Sequence, residues 1–352
     1  MIKEEINIHL AGKKEEEVAL AIGFFDGLHL GHQTLIKEVT SSCYTPSILT
    51  FSRNLKAELH NQKEELLLLE EEKDDMLSSL GIKKEFILPF DEETRKTSVE
   101  DFLSFLLKLN PKVIVVGHDF RFANMAKGKA EDLLALQQYG IKIIILNLLE
   151  INKKKISSSS IKELLKIHEI KKANALLGYP FSITGTVIHG LQNGHKIGFP
   201  TANMVYPKDK LVLPNGVYET KVEIDGKSYF AMTNIGNHPT IATLKENIIE
   251  TNVISYSGNL YNKVIKVSFI HYIREQKKFS SLKELREQLL KDIKEINKDE
   301  MPRSLPRHFY HSDLVFFLLV EDLVVFLAVV FLALAFLASR ASLAFSFSSG
   351  VL

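Results

Sequence analysis

From Val18 to Leu149 short apolar runs alternate with stretches whose apolar residues recur at helical spacing. This alternation restricts the fold more than any other feature of the 352 residues. Residues 16–25, 46–51, 112–117 and 141–149 read as strands, and 32–42 and 130–140 as helices. Apolar strands interleaved with helices predict a parallel α/β sheet covered on both faces. Ligands of such sheets bind beyond the carboxyl ends of the strands. Two segments rich in polar chemistry, GFFDGLHLGH (23–32) and GHDFRF (117–122), lie at such ends.

The pattern then changes. Residues 151–178 read as a charged helical connector, and after Tyr179-Pro180 the chain turns into short β-rich runs. Asp225-Gly226 between two of them is a strong hairpin signal. A second, all-β domain closed into a barrel is expected. Behind it, Ser281 and Glu284 have capping-box spacing, and Leu282, Leu285, Leu289, Ile293 and Ile296 form one apolar helical stripe. No internal repeat or P-loop is present.

The formal net charge of +1 argues against nucleic acid as a partner. A single cysteine, Cys43, excludes a disulfide framework and a Cys-based zinc site, and the N-terminus lacks a signal-peptide apolar region. Both fit a cytoplasmic protein. The last fifty-odd residues differ in kind: no lysine follows Met301, whereas Arg303, Arg307 and Arg340 do. The apolar run Leu323–Ala338 falls short of the roughly 20 residues of a spanning helix, and Glu321 and Asp322 precede it. It reads as a short anchor, a buried helix, or a tail foreign to the rest through a frameshift or gene-model error. The break in composition favours the third, and this tail is the only route to a membrane.

The decapeptide has its own chemical logic. Gly23 and Gly27 let backbone approach a bound group closely. His29 and His32 share a face in a first helical turn, where free N–H groups and the macrodipole favour anions. They read either as phosphate donors or as ordinary surface residues; zinc is less suited, because no third ligand lies nearby. The segment ISSSSIKELL (156–165) sets hydroxyls at a helix start with Lys162 one turn in. It reads as a triphosphate cradle or as a capped linker. Together the two segments are the halves of a nucleotidyltransferase site.

At this point the chain resembles the bacterial bifunctional riboflavin kinase/FMN adenylyltransferases, from about Val18 to about Ile296. The family's first motif appears as Gly23, Phe25, Asp26, Gly27, His29, Gly31 and His32. A second appears as Gly117, Asp119, Phe120 and Phe122, and a third as Ser157, Ser158, Ser159 and Lys162. The His-x-Gly-His element alone would also suit pantetheine-phosphate or glycerol-phosphate nucleotidyltransferases. The flavin assignment comes from the second half: GFPTAN (Gly198–Asn203) after the Gly-rich segment 189–194, PNGVY (214–218), NIGNHPT (234–240), IETNVI around Glu250, and IREQKKF (273–279). Class I aminoacyl-tRNA synthetases share the histidine motif, but no KMSKS-like loop is present.

The resemblance implies a parallel-sheet, Rossmann-like nucleotidyltransferase domain (1–155) and a connector completing its site (156–178). An all-β flavokinase barrel with a C-terminal helix (179–299) and the tail (300–352) would follow. It implies ATP as co-substrate, Mg²⁺ as cofactor, and FMN and FAD as products. Glu250 would be the general base of the kinase, with Gly198, Thr201 and Asn203 at the phosphates and Thr201 and Asn203 on the metal. His29 and His32 would stabilise the adenylyl-transfer transition state. Gly23, Phe25, Asp26, Gly27, Ser157, Ser158, Ser159 and Lys162 would surround the ATP phosphates. Asp119, Phe122 and Arg274 would line the flavin or nucleotide. The chain departs from the family at Lys162, where an arginine is usual, at Ala123, where glycine is usual, in the missing proline after Thr50-Phe51, and at Asn252, where histidine is common. The alternatives are a kinase with a degenerate transferase half, or a non-enzymatic flavin-binding protein. The oligomeric state is not legible in the sequence.

Overall fold

The structure, a computed structural model, describes residues 1–52, 65–147, 150–151, 154–189, 199–237 and 247–296. In chain order the first half contains β1 (Ile2–Glu5), β2 (Val18–Ile22), α1 (Leu30–Thr40), β3 (Thr45–Phe51), α2 (Glu70–Ser79) and β4 (Lys84–Leu88). It continues with α3 (Glu92–Lys96), α4 (Val99–Lys108), β5 (Pro111–Gly117), β6 (Arg121–Phe122), β7 (Gly128–Lys129) and β8 (Lys142–Leu146).

Six strands form one wholly parallel sheet in the order β1-β4-β3-β2-β5-β8. The central strand β2 is buried at every position. Its alternate residues serve two cores: Val18, Leu20 and Ile22 pack with Phe105 and Leu106 of α4, and Ala19 and Ala21 with Ile36 and Val39 of α1. The small Ala pair under α1 brings that helix close to the sheet, so its N-terminus stands directly beyond the end of β2.

Some local readings need correction. Strands β1 and β4 and helices α2, α3 and α4 carry no signal recognised above. The helix read at 130–140 is present as a 3₁₀ helix, Ala130–Tyr139, whose buried residues Ala130, Leu133 and Leu136 recur every third position. Gly140 closes it in the left-handed conformation. The connector begins as a strand pair, β9 (Glu150–Ile151) with β10 (Lys154–Lys155). Its helical part is two helices, α5 (Ser158–Lys166) and α6 (Ile170–Leu177), broken where His168 takes a positive φ.

The second half contains β11 (Ser182–Thr186), β12 (Ala202–Val205), β13 (Gly216–Ile224), β14 (Lys227–Asn237), β15 (Asn247–Val253), β16 (Val264–Arg274) and α7 (Leu282–Ile296). The strands form one antiparallel sheet in the order β11-β16-β13-β14-β15-β12. Asp225 and Gly226 both have positive φ, as the tight β13–β14 turn requires. Two register shifts bend β13 against β16. An isolated bridge from Ile188 to Asn203 brings the two ends of the sheet together into a near-barrel. Its interior holds Ile183, Val222, Ile235, Ile249 and Val267, with hydroxyls of Thr220, Thr233 and Thr251 linked at 2.8 and 3.0 Å. Helix α7 is capped one residue off the expected box: Ser281 Oγ accepts the Glu284 N–H, but Glu284 accepts from Ser280 rather than from Ser281.

The tail, Gly198, the Gly-rich segment 190–194 and residues 238–240 lie outside the described residues. Among the described residues no helix is long and apolar enough to cross a membrane.

Candidate active sites

The end of β2 turns sharply through Phe25, which takes a left-handed conformation, and Gly27 at φ +78°. A Cβ on Gly27 would lie 2.5 Å from Leu67 Cδ1, so both its backbone and its surroundings demand glycine. His29 then caps α1: its Nδ1 accepts the His32 backbone N–H at 3.4 Å. That bond places the ring proton on Nε2 and leaves an outward donor. The two imidazoles stack at 3.7 Å with an interplanar angle of 15°. Burial pulls the His29 pKa down to about 4, against the opposing pull of Asp26. Burial and the neighbouring His29 hold His32 well below its ordinary value. Both rings are therefore neutral at pH 7, and His32 Nδ1 is buried without a hydrogen-bond partner. Phe25 is wholly buried beneath His32, at 5.3 Å between ring centres, so its side chain supports the turn.

The distant serine segment closes on this turn. Ser157 caps α5 by accepting the Ser160 N–H at 3.2 Å. Ser158 Oγ donates to the Asp26 carbonyl at 2.8 Å, and Lys162 Nζ pairs with the Asp26 carboxylate at 2.6 Å. Ser159 is exposed at the helix start. The junction is braced by Gln33, whose Nε2 donates to the carbonyls of Leu28 and Leu177, both at 2.8 Å, and by the Tyr179 hydroxyl donating to the Gly27 carbonyl. Neither brace was singled out in the sequence, because each joins segments about 150 residues apart. Asp119, half-exposed beyond β5, pairs with Lys155. Phe122 is buried in the sheet core, stacked on Phe120 and 4.8 Å from Phe102. Just after it, Ala123 sits at φ 61°, ψ −176°, a region essentially reserved for glycine.

In the barrel, strand register assembles the second constellation. Asn203 of β12 stands directly opposite Glu250 of β15, and Asn234 of β14 opposite Glu250 on the other side. Asn234 Nδ2 donates to Glu250 Oε2 at 3.3 Å, and Gln276 Nε2 donates to Asn234 Oδ1 at 2.8 Å. Asn203 Nδ2 donates to the Thr201 carbonyl at 3.4 Å. The departure at Asn252 has a structural use: its Nδ2 donates to the Pro200 carbonyl at 2.7 Å, fixing the turn that carries Thr201. A cleft of about 290 Å³ opens beside Pro200 and Thr201, walled by Tyr256 and Tyr261. The Arg274 guanidinium forks onto buried Asp292 of α7 at 2.7–3.1 Å and so ties strand to helix.

Known proteins similar to this chain span both halves of it. The family models for FAD synthetase and for riboflavin kinase match residues 11–160 and 177–299. The bifunctional riboflavin kinase/FMN adenylyltransferase of Bacillus subtilis is 33% identical over 296 residues, covering 82% of this chain and 94% of that protein. The protein of the same description from Buchnera aphidicola of Schizaphis graminum is 36% identical over 302 residues, covering 83% and 96%. A solved structure from Streptococcus pneumoniae, described as a macrolide-efflux protein, aligns with a TM-score of 0.75 at 28% identity. That alignment covers 86% of this chain and all of that one.

Proposed function

Since the chain belongs to the bifunctional riboflavin kinase/FMN adenylyltransferase family, phosphorylating riboflavin to FMN and adenylylating FMN to FAD, we propose that the two constellations are its two separate active sites. In this reading the adenylyltransferase occupies residues 1–155 as a Rossmann-like domain, with 156–178 completing its site. The kinase occupies 179–299. A cytoplasmic location fits the exposed free thiol of Cys43.

The observation that carries the transferase assignment is the meeting of Ser158 and Lys162 with Asp26, some 130 residues away. It sets hydroxyls and an ammonium from the first turns of α5 against the turn that carries two neutral imidazoles at the start of α1. The phosphate of FMN would attack the α-phosphate of ATP and release pyrophosphate, with no covalent enzyme intermediate. The His29 Nε2–H would donate to the α-phosphoryl oxygens as charge develops, and His32 would do so beside it. Ser158, Ser159 and Lys162 would hold the β- and γ-phosphates, Lys162 exchanging Asp26 for phosphate. Gly23 and Gly27 admit the phosphates to the backbone, and Asp119 stands at the nucleotide or flavin side.

In the kinase, Glu250 would take the proton of the riboflavin 5′-hydroxyl as that oxygen attacks the γ-phosphate of a second ATP. Asn234 orients the Glu250 carboxylate, and Gln276 holds the amide of Asn234. The Thr201 oxygens and the Asn203 amide oxygen are hard neutral donors in the neighbourhood of one carboxylate, a set that fits Mg²⁺. When bound, the ion would neutralise phosphate charge.

The test is an exchange of losses. Glu250→Gln should abolish FMN formation from riboflavin and leave FAD formation from supplied FMN intact. His29→Ala with His32→Ala should do the reverse, by on the order of 10²–10³ in rate per lost donor. If either variant, folded, lost both activities, the two-site reading would fail.

A further inference from the structure

Lys210 is a lysine of the kinase domain, in the loop between β12 and β13, and it is only 1% exposed. Its ammonium lies 5.0 Å over the Phe181 ring and pairs with Glu72 at the start of α2, in the other domain. Burial pulls its pKa down while Glu72 pulls it back up. Around this pair the two domains share backbone bonds. The Leu66 N–H donates to the Asp209 carbonyl at 2.7 Å, and the Leu211 N–H donates to the Leu66 carbonyl at 2.8 Å. The loop is stiffened from the barrel side by the Tyr206 hydroxyl, which donates to the Leu211 carbonyl and accepts the Leu213 N–H. Glu72 Oε2 also accepts the Leu69 N–H at 2.9 Å. Residues 66–69 are thus strapped to the kinase domain at both ends.

Between those ends lies Leu67. Its N–H donates to Asp26 Oδ1 at 3.0 Å, and its side chain closes over Gly27. Asp26 in turn is the partner of Lys162. An unbroken series of contacts therefore leads from Lys210 through the strap to the cation assigned to the ATP phosphates. We propose that Lys210 is a positioning residue for adenylyl transfer, supplied by the kinase domain. It holds the strap whose Leu67 N–H engages the Asp26 carboxylate, and so sets how strongly Asp26 competes with ATP for Lys162. Without the strap, Asp26 keeps only Lys162 as partner and withholds it from the nucleotide. The inference rests on the reading of Lys162 as a phosphate ligand.

The experiment uses the full chain and measures ATP dependence of both reactions in Lys210→Met, Lys210→Arg, Glu72→Gln and Lys162→Ala, with unfolding followed in each. Lys210→Met should raise the ATP KM of FAD formation about tenfold, with the ATP KM and kcat of the kinase within twofold of wild type. Lys210→Arg should recover most of the loss. Glu72→Gln, which breaks the same pair from its other end, should act alike. The double variant Lys210→Met/Glu72→Gln should be no worse than the poorer single one. It removes both charges together and keeps the test alive if a single variant does not fold. An unchanged ATP KM in folded Lys210→Met, or additive losses in the double variant, would overturn the proposal while leaving Lys162 in its role. Lys162→Ala with an unchanged ATP KM would instead overturn the reading of Lys162.

Discussion

Acidification offers a direct probe of the histidine turn. His29 is 6% exposed, and burial moves its pKa from 6.5 to about 4. At 1.36 kcal/mol per unit this is a linkage of about 3.4 kcal/mol. The sign follows from the direction. A base whose folded pKa is depressed binds more protons when unfolded, so its contribution is whole above pH 6.5 and is lost as pH falls towards 4. Between pH 7.5 and pH 5 the expected loss from His29 alone is about 2 kcal/mol. His29→Asn keeps a good N-cap for α1 and removes the titrating ring, so it should lose about 2 kcal/mol less than wild type over that interval. Denaturant midpoints of both proteins at the two pH values measure the difference, and proton NMR of the His29 ring measures the pKa itself. Bound ATP reverses the balance, because phosphate oxygens against Nε2 favour the imidazolium. The ring pKa should therefore rise when ATP is added. Identical acid losses in the two proteins, with a ring titrating near 6.5, would refute the argument.

Three other outcomes follow from local geometry. Ala123→Gly removes a positive-φ strain of order 1–3 kcal/mol and, after the entropy of the more flexible unfolded chain, should stabilise the protein by about 1 kcal/mol by denaturant titration. Arg274→Ala leaves Asp292 buried without its guanidinium and should cost about 3–5 kcal/mol of stability, with the riboflavin KM unchanged; a raised KM at unchanged stability would return Arg274 to the flavin site. Asn234→Ala takes one donor from Glu250 and should lower kinase kcat about tenfold at constant KM, with FAD formation from FMN as the internal control. Equal loss of both activities there would point to a folding defect.

What the sequence determined by itself is what short-range chemistry encodes. The all-apolar run of β2, the 3.6-residue periodicity of α1 and the Asp225-Gly226 turn follow from local sterics and the demand to bury one face. The histidine and serine motifs were legible because their residues sit within one turn of each other. Everything that joins distant segments was decided by the tertiary structure. Strand β1 has no interior face of its own and exists because β4 offers it a parallel edge. Phe122 and Arg274 carry the right chemistry for a ligand, yet one fills the sheet core and the other meets a buried aspartate on α7. Asn234 reaches Glu250 through β-register, which a shift of one residue would turn to the opposite face, and Gln276, beyond the end of β16, reaches Asn234 in turn. The pairing of Leu66 with Lys210 leaves no trace in either segment, because its partners are far apart in the chain and only the folded chain brings them together.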